Sequence, residues 1–209
     1  NSRGGDAAVA LLGKGFRLLT TDRWVSYSPV EAIRRQLCWA HLIRDFLGWQ
    51  DYGGDGALIA EALLRDCKKM FRWWSQLKDG DLSRSEFQRR MAPLRRRVLE
   101  LLEAAEVCPQ AKVAGMAKEM LKLRDALFTF VDVLGVEPTN NAAERALRHA
   151  AIWRKICFGT DSARGSRYVE RMLTVVATLK QQDRDVRAYI AEAVHALRFG
   201  LPAPRLLPA

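Results

Sequence analysis

The sequence predicts a mostly helical α/β fold. Three observations carry that expectation. Two short stretches, Phe16–Thr21 and the weaker Arg34–Trp39, have the content of strands. From about residue 54 to 135, apolar residues recur at three- and four-residue steps. Beyond Asn141 three further helices are expected.

In chain order, residues 6–12 read as the end of a short helix, stopped by Gly13 and Gly15. Phe16-Arg17-Leu18-Leu19-Thr20-Thr21 is apolar with β-branched character and is bounded by glycine and Asp22, as a buried strand would be. Arg34–Trp39 runs straight into a helix from Ala40 to about Gln50. Next, Ile59, Leu63, Cys67, Met70, Trp74 and Leu77 make one apolar helical face, and Gly80 breaks the chain. Ser83-Arg84-Ser85-Glu86 is a capping box opening the next helix. Its seam is Phe87, Met91, Leu94, Val98, Leu101 and Ala105, with Pro93 inside it and expected to kink or split the helix. A third helix from about Pro109 carries Val113, Met116, Met120, Leu123, Leu127 and Phe130, with Gly135 able to end it.

Glu137-Pro138-Thr139-Asn140-Asn141 then supplies a turn and an N-cap for a helix through about Ala150. An apolar stretch with Trp153 and Phe158 leads into a glycine-containing loop, residues 159–165, and helices are expected over about 166–181 and 186–198. The tail from Gly200, with Pro202, Pro204 and Pro208, is expected to be extended and loosely held.

The totals limit the function. A length of 209 residues suits one domain or a compact domain with an insertion, and 49% hydrophobic content is enough for a core. A net charge of +10 favours a polyanionic partner, because neutralised phosphates release condensed counterions. Charge alone leaves open a basic protein that binds no nucleic acid. The four cysteines form no CxxC pair, which suits free thiols in a reducing cytosol, and Cys38-Trp39-Ala40-His41 has no second pair of zinc ligands at suitable spacing. No apolar run approaches the roughly 20 residues of a membrane span, and no signal peptide is visible, so a cytoplasmic protein is expected. The first residue is Asn rather than Met, which points to an excised piece of a longer protein.

Two carboxylates could do chemistry. Asp22 ends an apolar strand, where it could project into a cleft and hold a divalent metal, or be an ordinary strand-to-turn aspartate. Arg23-Trp24-Val25-Ser26-Tyr27 places a cation and two aromatics beside it, which could contact phosphates or stack bases, or belong to the core. Glu144 could be the third helical residue of a capping box based on Asn141. It also shares a polar helical face with Asn141, Arg145 and Arg148, opposite Ala143, Leu147, Ala150 and Ala151, which would face the core. Spacing leaves these readings undecided. Arg145, Arg148, Arg154, Lys155, Arg164, Arg167 and Arg171 then form a basic stretch interleaved with Trp153, Phe158 and Tyr168, which suits phosphate binding or a solvated basic face. No nucleophile-elbow pattern, histidine triad or Walker loop is present in the sequence.

Taken together these motifs resemble the insertion-sequence sixty-six family of bacterial transposases. The resemblance rests on Thr21-Asp22-Arg23-Trp24, on Cys38-Trp39-Ala40-His41 followed by Asp45-Phe46, and on Pro138-Thr139-Asn140-Asn141-Ala142-Ala143-Glu144-Arg145-Ala146-Leu147-Arg148. It continues through Trp153-Arg154-Lys155, Phe158-Gly159-Thr160 and Gly165-Ser166-Arg167-Tyr168-Val169-Glu170-Arg171, and so covers the chain from about Ser2 to about His195.

The resemblance implies a DDE transposase with an RNase H-like core, in which two Asp and one Glu hold two Mg²⁺ (or Mn²⁺) ions. Asp22 matches the second Asp and Glu144 the Glu, while the first Asp belongs to early strands expected upstream of Asn1; Asp6, in the helix after those strands, is not promoted to that role. The implied organisation is a partial RNase H-like core over residues 1–53, a helical insertion over 54–135, the Glu helix and C-terminal helices over 136–198, and the tail over 199–209. The implied partner is double-stranded DNA, at transposon ends and target, with self-association in the active assembly. Arg23, Trp24, Arg145, Arg148, Arg154, Lys155, Arg164 and Arg167 are the DNA-contacting candidates. With one Asp absent, the chain itself is expected to bind metal weakly and to be inactive or nearly so. Rival readings are an RNase H-like nuclease or resolvase, a non-catalytic DNA-binding or assembly module, and a helical interaction protein.

Overall fold

The fold comes from a computed structural model, and the structure describes residues 5–13 and 15–207. It is mostly helical and forms two compact units, Asn1–Asn141 and Ala142–Ala209.

In the first unit α1 (Gly5–Leu12) precedes β1 (Leu19–Thr21), which pairs in parallel with β2 (Arg35–Leu37) in the register Leu19↔Arg35, Thr20↔Gln36 and Thr21↔Leu37. Parallel pairing demands a crossover of about a dozen residues, and the segment between the strands supplies it with two 3₁₀ turns, Val25–Tyr27 and Ala32–Arg34. All three residues of β2 are buried, the mark of a strand covered on both faces. The chain then enters α2 (Trp39–Gln50), α3 (Gly54–Asp79), α4 (Arg84–Glu106), α5 (Ala111–Leu121) and the single turn α6 (Thr129–Asp132). Among the described residues, 54–135 contain no strand.

The apolar spacing that defines these helices also builds their core. One cluster runs from Leu37, Trp39 and Leu42 through Leu63, Met70, Phe87, Leu102 and Val113 to Phe130. Aromatic rings tie it together: Trp39 meets Phe128 at 5.2 Å between centroids, and Trp74 meets Phe87 at 5.8 Å and Phe130 at 5.5 Å. Contacts of this kind each contribute about 0.5–1.5 kcal/mol beyond the area they bury. An ion pair sits at the edge of this core: Asp66 of α3, 2% exposed, meets the half-exposed Arg97 of α4 at 3.0 Å. Burial pushes the adjacent Cys67 thiol up to about 12, and the Asp66 charge adds to the effect.

Local stops follow from chain chemistry. Gly80, with φ 83°, takes the left-handed cap that ends α3, and Ser83 accepts the Glu86 N–H to start α4. The Glu86 side chain pairs with Arg89 and Arg90.

Three local expectations need correction. Pro93 does not split α4, which runs unbroken over Arg84–Glu106. Proline sits on the exposed side, where a carbonyl left without its N–H partner faces water, and the buried seam is Met91, Leu94, Val98 and Leu102. Leu102, rather than Leu101, is the fully buried member at that turn.

The single helix expected from Pro109 to Gly135 is broken after Leu121, passing through a 3₁₀ turn at Arg124–Ala126 before α6. The cause is long-range. Buried Gln36 donates to Leu127 O (3.0 Å) and accepts from Phe130 N–H (2.8 Å), Trp39 Nε1 donates to Leu127 O (2.7 Å), and Thr129 Oγ1 donates to Arg35 O (2.6 Å). These bonds hold residues 127–130 against β2 in place of a continuous helical ladder.

The second unit carries most of α7 (Asn141–Ile156), then α8 (Ala163–Gln181) and α9 (Val186–Phe199). Its buried side chains among the described residues are Leu179 and Ala196. Asp185 caps α9 by accepting from Arg187 N–H (2.8 Å) and Ala188 N–H (3.1 Å). Here too expectation and structure differ. The helix expected to end near Ala150 continues to Ile156, and none of its residues is buried, Leu147 being 67% exposed. The stripe of Ala143, Leu147, Ala150 and Ala151 therefore does not face a core: small alanines bury little surface and the unit offers few large apolar partners. The tail is extended but pinned, since Arg184 donates to Leu206 O (2.9 Å) and Arg205 O (3.1 Å) and Tyr189 Oη to Pro204 O (3.1 Å).

Replacing Gln36 by Leu should leave the buried Phe130 N–H without its acceptor and Leu127 O with Trp39 Nε1 as its remaining side-chain donor. The expected loss is about 2–4 kcal/mol, read from the urea midpoint of unfolding followed by circular dichroism. A change below about 1 kcal/mol would mean that the glutamine clamp is not what holds residues 127–130 against β2.

Candidate functional site

Asp22 stands directly after β1, at its carboxyl end. Its Oδ1 accepts the N–H of Trp24 (3.0 Å), a local turn that orients the carboxylate. Beneath it lies Arg35 of β2, 2% exposed. The Arg35 guanidinium donates to Thr21 Oγ1 (2.9 Å), Asp22 O (3.1 Å) and Tyr27 O (3.3 Å). Burial pulls the Arg35 pKa down, and the charges of Asp22 and Tyr27 oppose that pull. A buried cation thus joins the strand end, the aspartate and the following 3₁₀ turn into one rigid element. Sequence reasoning finds Arg35 only as a member of the weaker strand candidate Arg34–Trp39.

The residues flanking Asp22 divide. Arg23 pairs with Asp45 of α2 at 2.5 Å and is largely covered, so its charge already has a protein partner. Trp24 is 55% exposed and remains open to a ligand.

Two sequence motifs meet beside this element. Cys38 N–H donates to Thr21 O (2.7 Å), which continues the strand ladder past Leu37. Trp39 N–H donates to Pro138 O (2.9 Å), and Asn140 N–H reaches Cys38 Sγ (3.5 Å). The Cys-Trp-Ala-His run and the start of the Pro-Thr-Asn-Asn run are therefore packed together, with Cys38 buried as a structural thiol at the head of α2.

Glu144 lies in the first turn of α7 and is exposed. Arg145, Arg148, Arg154, Lys155, Arg164 and Arg167 are all exposed, and none forms an ion pair among the described residues. Helical spacing sorts them. Arg148 and Lys155, seven apart, lie on one side of α7 with Arg145 and Glu144 close by, whereas Arg154 falls on another side. On α8, Arg164, Arg167 and Arg171 follow one another at three- and four-residue steps along a single face. Ser162 caps that helix by accepting the Gly165 N–H (3.0 Å), and its first turn contains no acidic residue.

A model of the family described as Transposase IS66 family matches residues 1–168. That span holds Asp22, the Cys38–His41 run, Glu144 with its helix, and Phe158-Gly159-Thr160. The chain belongs to the IS66 family of transposases. Two curated proteins of Sinorhizobium fredii (strain NBRC 101917 / NGR234) are similar to it. "Uncharacterized protein y4qI" is 24% identical over 220 residues, covering 99% of this chain and 40% of the relative. "Uncharacterized protein y4hP" is 35% identical over 92 residues, covering 44% of this chain and 17% of the relative. The IS66-family chain thus spans well under half the length of the curated relatives it matches. No solved structure matches it.

A metal would meet the following donors in this IS66-family chain. Asp22 and Glu144 offer carboxylate oxygens, the donor type that hard divalent cations such as Mg²⁺ prefer. Among the described residues no group of three or more His, Cys, Asp or Glu is placed to hold a metal ion. The donor chemistry fits; the number of donors in any one place does not complete a site. Nor, among the described residues, is any helix long and apolar enough to cross a membrane.

Asp22→Asn should cost less than about 1 kcal/mol, because an amide Oδ1 still accepts the Trp24 N–H. Arg35→Met should cost about 2–4 kcal/mol, since it strips a buried donor from Thr21, Asp22 and Tyr27. Urea unfolding of both variants checks the pair; equal losses would mean that Asp22 is itself a structural residue.

Proposed function

We propose that this chain is part of a DDE-type transposase that cuts and joins DNA by phosphoryl transfer, with Asp22 and Glu144 as two of its metal-binding carboxylates. The observation that carries the reading is the family match over residues 1–168, which includes both residues within the family's span. Asp22 adds a physical reason: ligand sites in open α/β sheets lie outside the carboxyl ends of their strands, and Asp22 occupies that position on β1.

The surroundings support the wider reading. β2 is fully buried, while β1 pairs with one strand among the described residues, so its other edge is the place for further strands of an RNase H-like sheet. Residues 54–135 are then the helical insertion of that core, and a first Asp would come from a strand contributed by sequence preceding Asn1.

When bound, a pair of divalent ions in such a site activates the attacking oxygen and steadies the leaving oxygen of an in-line displacement. The residues of this chain have simpler tasks. The Trp24 N–H holds the Asp22 carboxylate in a set orientation and Arg35 fixes the Asp22 backbone carbonyl, which matters because small misplacements of reacting groups can cost about 100-fold in rate. Arg145, Arg148, Arg154, Lys155, Arg164 and Arg167 neutralise DNA phosphates, and Trp24 lies open beside Asp22 for a base or sugar. The DNA is double-stranded, at transposon ends and target, and the active assembly contains more than one copy.

The catalytic test compares this chain with a version extended through the coding sequence upstream of Asn1, using DNA cleavage and joining to a target strand with Mg²⁺ or Mn²⁺. The short chain should be inactive, and the extended one should cleave and join in a manner abolished by Asp22→Asn and by Glu144→Gln. Cleavage without joining would favour a nuclease or resolvase on the same core, and robust cleavage surviving both substitutions would overturn the site.

For DNA affinity, every phosphate that is no longer neutralised should lower the slope of log affinity against log salt by about 0.9 on duplex DNA. Replacing Arg148, Arg154 and Lys155 together with Ala should therefore lower it by up to about 2.7. Because Arg154 occupies a different side of α7 from Arg148 and Lys155, the double Arg148→Ala, Lys155→Ala variant should account for most of the reduction. An unchanged slope would make these cations a solvated face.

A further inference from the structure

We propose that Phe158 stacks on an unpaired nucleobase of bound DNA, with the cations of the flanking helix ends on the neighbouring phosphates. The inference rests on the DNA reading above and goes beyond it, because it assigns a base contact to a residue outside the basic and acidic set.

Phe158 is 97% exposed, more than any other large hydrophobic residue described. It also has φ 56°, in the left-handed region that bulky side chains rarely adopt, and Gly159 follows with φ 94°. An aromatic ring held in water by a strained backbone gains nothing for this chain's own folding. Such outliers persist where their surroundings over-determine them, and they cluster at ligand contacts.

The surroundings here are specified. Thr160 Oγ1 lies 2.7 Å from Ser166 Oγ, and Ser162 Oγ accepts the Gly165 N–H at 3.0 Å, so the segment after Phe158 is fastened to the first turn of α8. The ring is thus presented by an anchored loop.

Its chemical neighbourhood selects the partner. Arg154 and Lys155 occupy the last turn of α7, four and three residues before Phe158, and Arg164 opens α8 six residues after it. Among residues 157–162 the only carboxylate is Asp161. A lone aromatic between cationic helix ends matches the pattern of single-strand recognition, in which charge follows the backbone and a ring stacks on the base. Ile156, two residues before Phe158, is also exposed (69%), but the cations at both flanking helix ends favour a polyanion over a lipid or protein partner. Stacking tolerates any base, so the contact would read an unpaired or splayed nucleotide and not a sequence. Strand ends and nicks, which a cutting and joining reaction creates, offer such nucleotides.

The test uses this chain with two probes, a fully paired duplex and the same duplex carrying a single-stranded overhang with one 2-aminopurine. The unaltered chain should prefer the overhang probe and quench its fluorescence. Phe158→Ala should weaken overhang binding about tenfold, abolish the quenching and leave both duplex affinity and the salt slope unchanged. Phe158→Trp should restore affinity and quenching. Because the side chain is exposed, circular dichroism should show all variants folded alike. Four results would overturn the proposal: no preference for the overhang by the unaltered chain, unaltered quenching in Phe158→Ala, equal weakening on both probes, or a change of oligomeric state on sedimentation with DNA binding intact. The last would assign the ring to a second copy of the chain. If the unaltered chain binds neither probe with salt dependence, the DNA reading itself falls, whatever Phe158 does.

Discussion

A buried glutamine decides how the first unit closes. Gln36 lies in the middle of β2 with its side chain wholly excluded from water, yet it has four hydrogen-bonding positions, two donors and two acceptor lone pairs. Residues 127–130 supply partners for two of them, at Leu127 O and Phe130 N–H, and Trp39 adds its indole N–H to the same carbonyl. An unsatisfied buried amide costs about 1–3 kcal/mol per group, so the segment that answers Gln36 meets β2 at the start of α6 and does not continue α5 as one helix. The broken helix after α5, the aromatic packing of Phe128 and Phe130, and the covered outer side of β2 all follow from that demand. The clamp joins positions about ninety residues apart, and so couples the strand pair that carries Asp22 to the far end of the helical region.

Asp22 depends on the same strand in another way. β2 offers Gln36 to the helical segment and Arg35 to the end of β1, and the two residues project to opposite faces by the alternation of a strand. A cation under a carboxylate is costly to bury, and the cost is offset by its three oxygen partners and the charge of Asp22. The result is orientation. The carboxylate leaves the sheet at its carboxyl end in a fixed turn.

The second unit follows a different physical logic. Among the described residues it buries few side chains, exposes the cations of α7 and α8, and leaves Leu147, Phe158 and Tyr168 in water. A surface of that kind contributes little to the stability of the chain alone and suits a partner that brings phosphates and stacking surfaces.

Much of this was legible in sequence because it depends on short-range chemistry. Apolar spacing located α3 and α4, Gly80 and Ser83 marked their limits, and the order of the Asp22, Cys38–His41 and Asn140–Arg148 motifs pointed to the family later shown by the match. Other features escaped because they depend on groups far apart in the chain. Periodicity ran a helix through Leu127 that Gln36 breaks, and it gave α7 a buried face although its stripe is mostly alanine. It placed Pro93 in a seam from which that residue in fact points away. The sequence by itself determined the helices, their caps and the family. Only the tertiary structure decided where the helical ladder gives way to side-chain partners, which buried cation supports Asp22, and that Phe158 stands in water on a left-handed backbone. Those outcomes turn on long-range hydrogen bonds and on a backbone angle, and neither leaves a periodic trace in the order of residues.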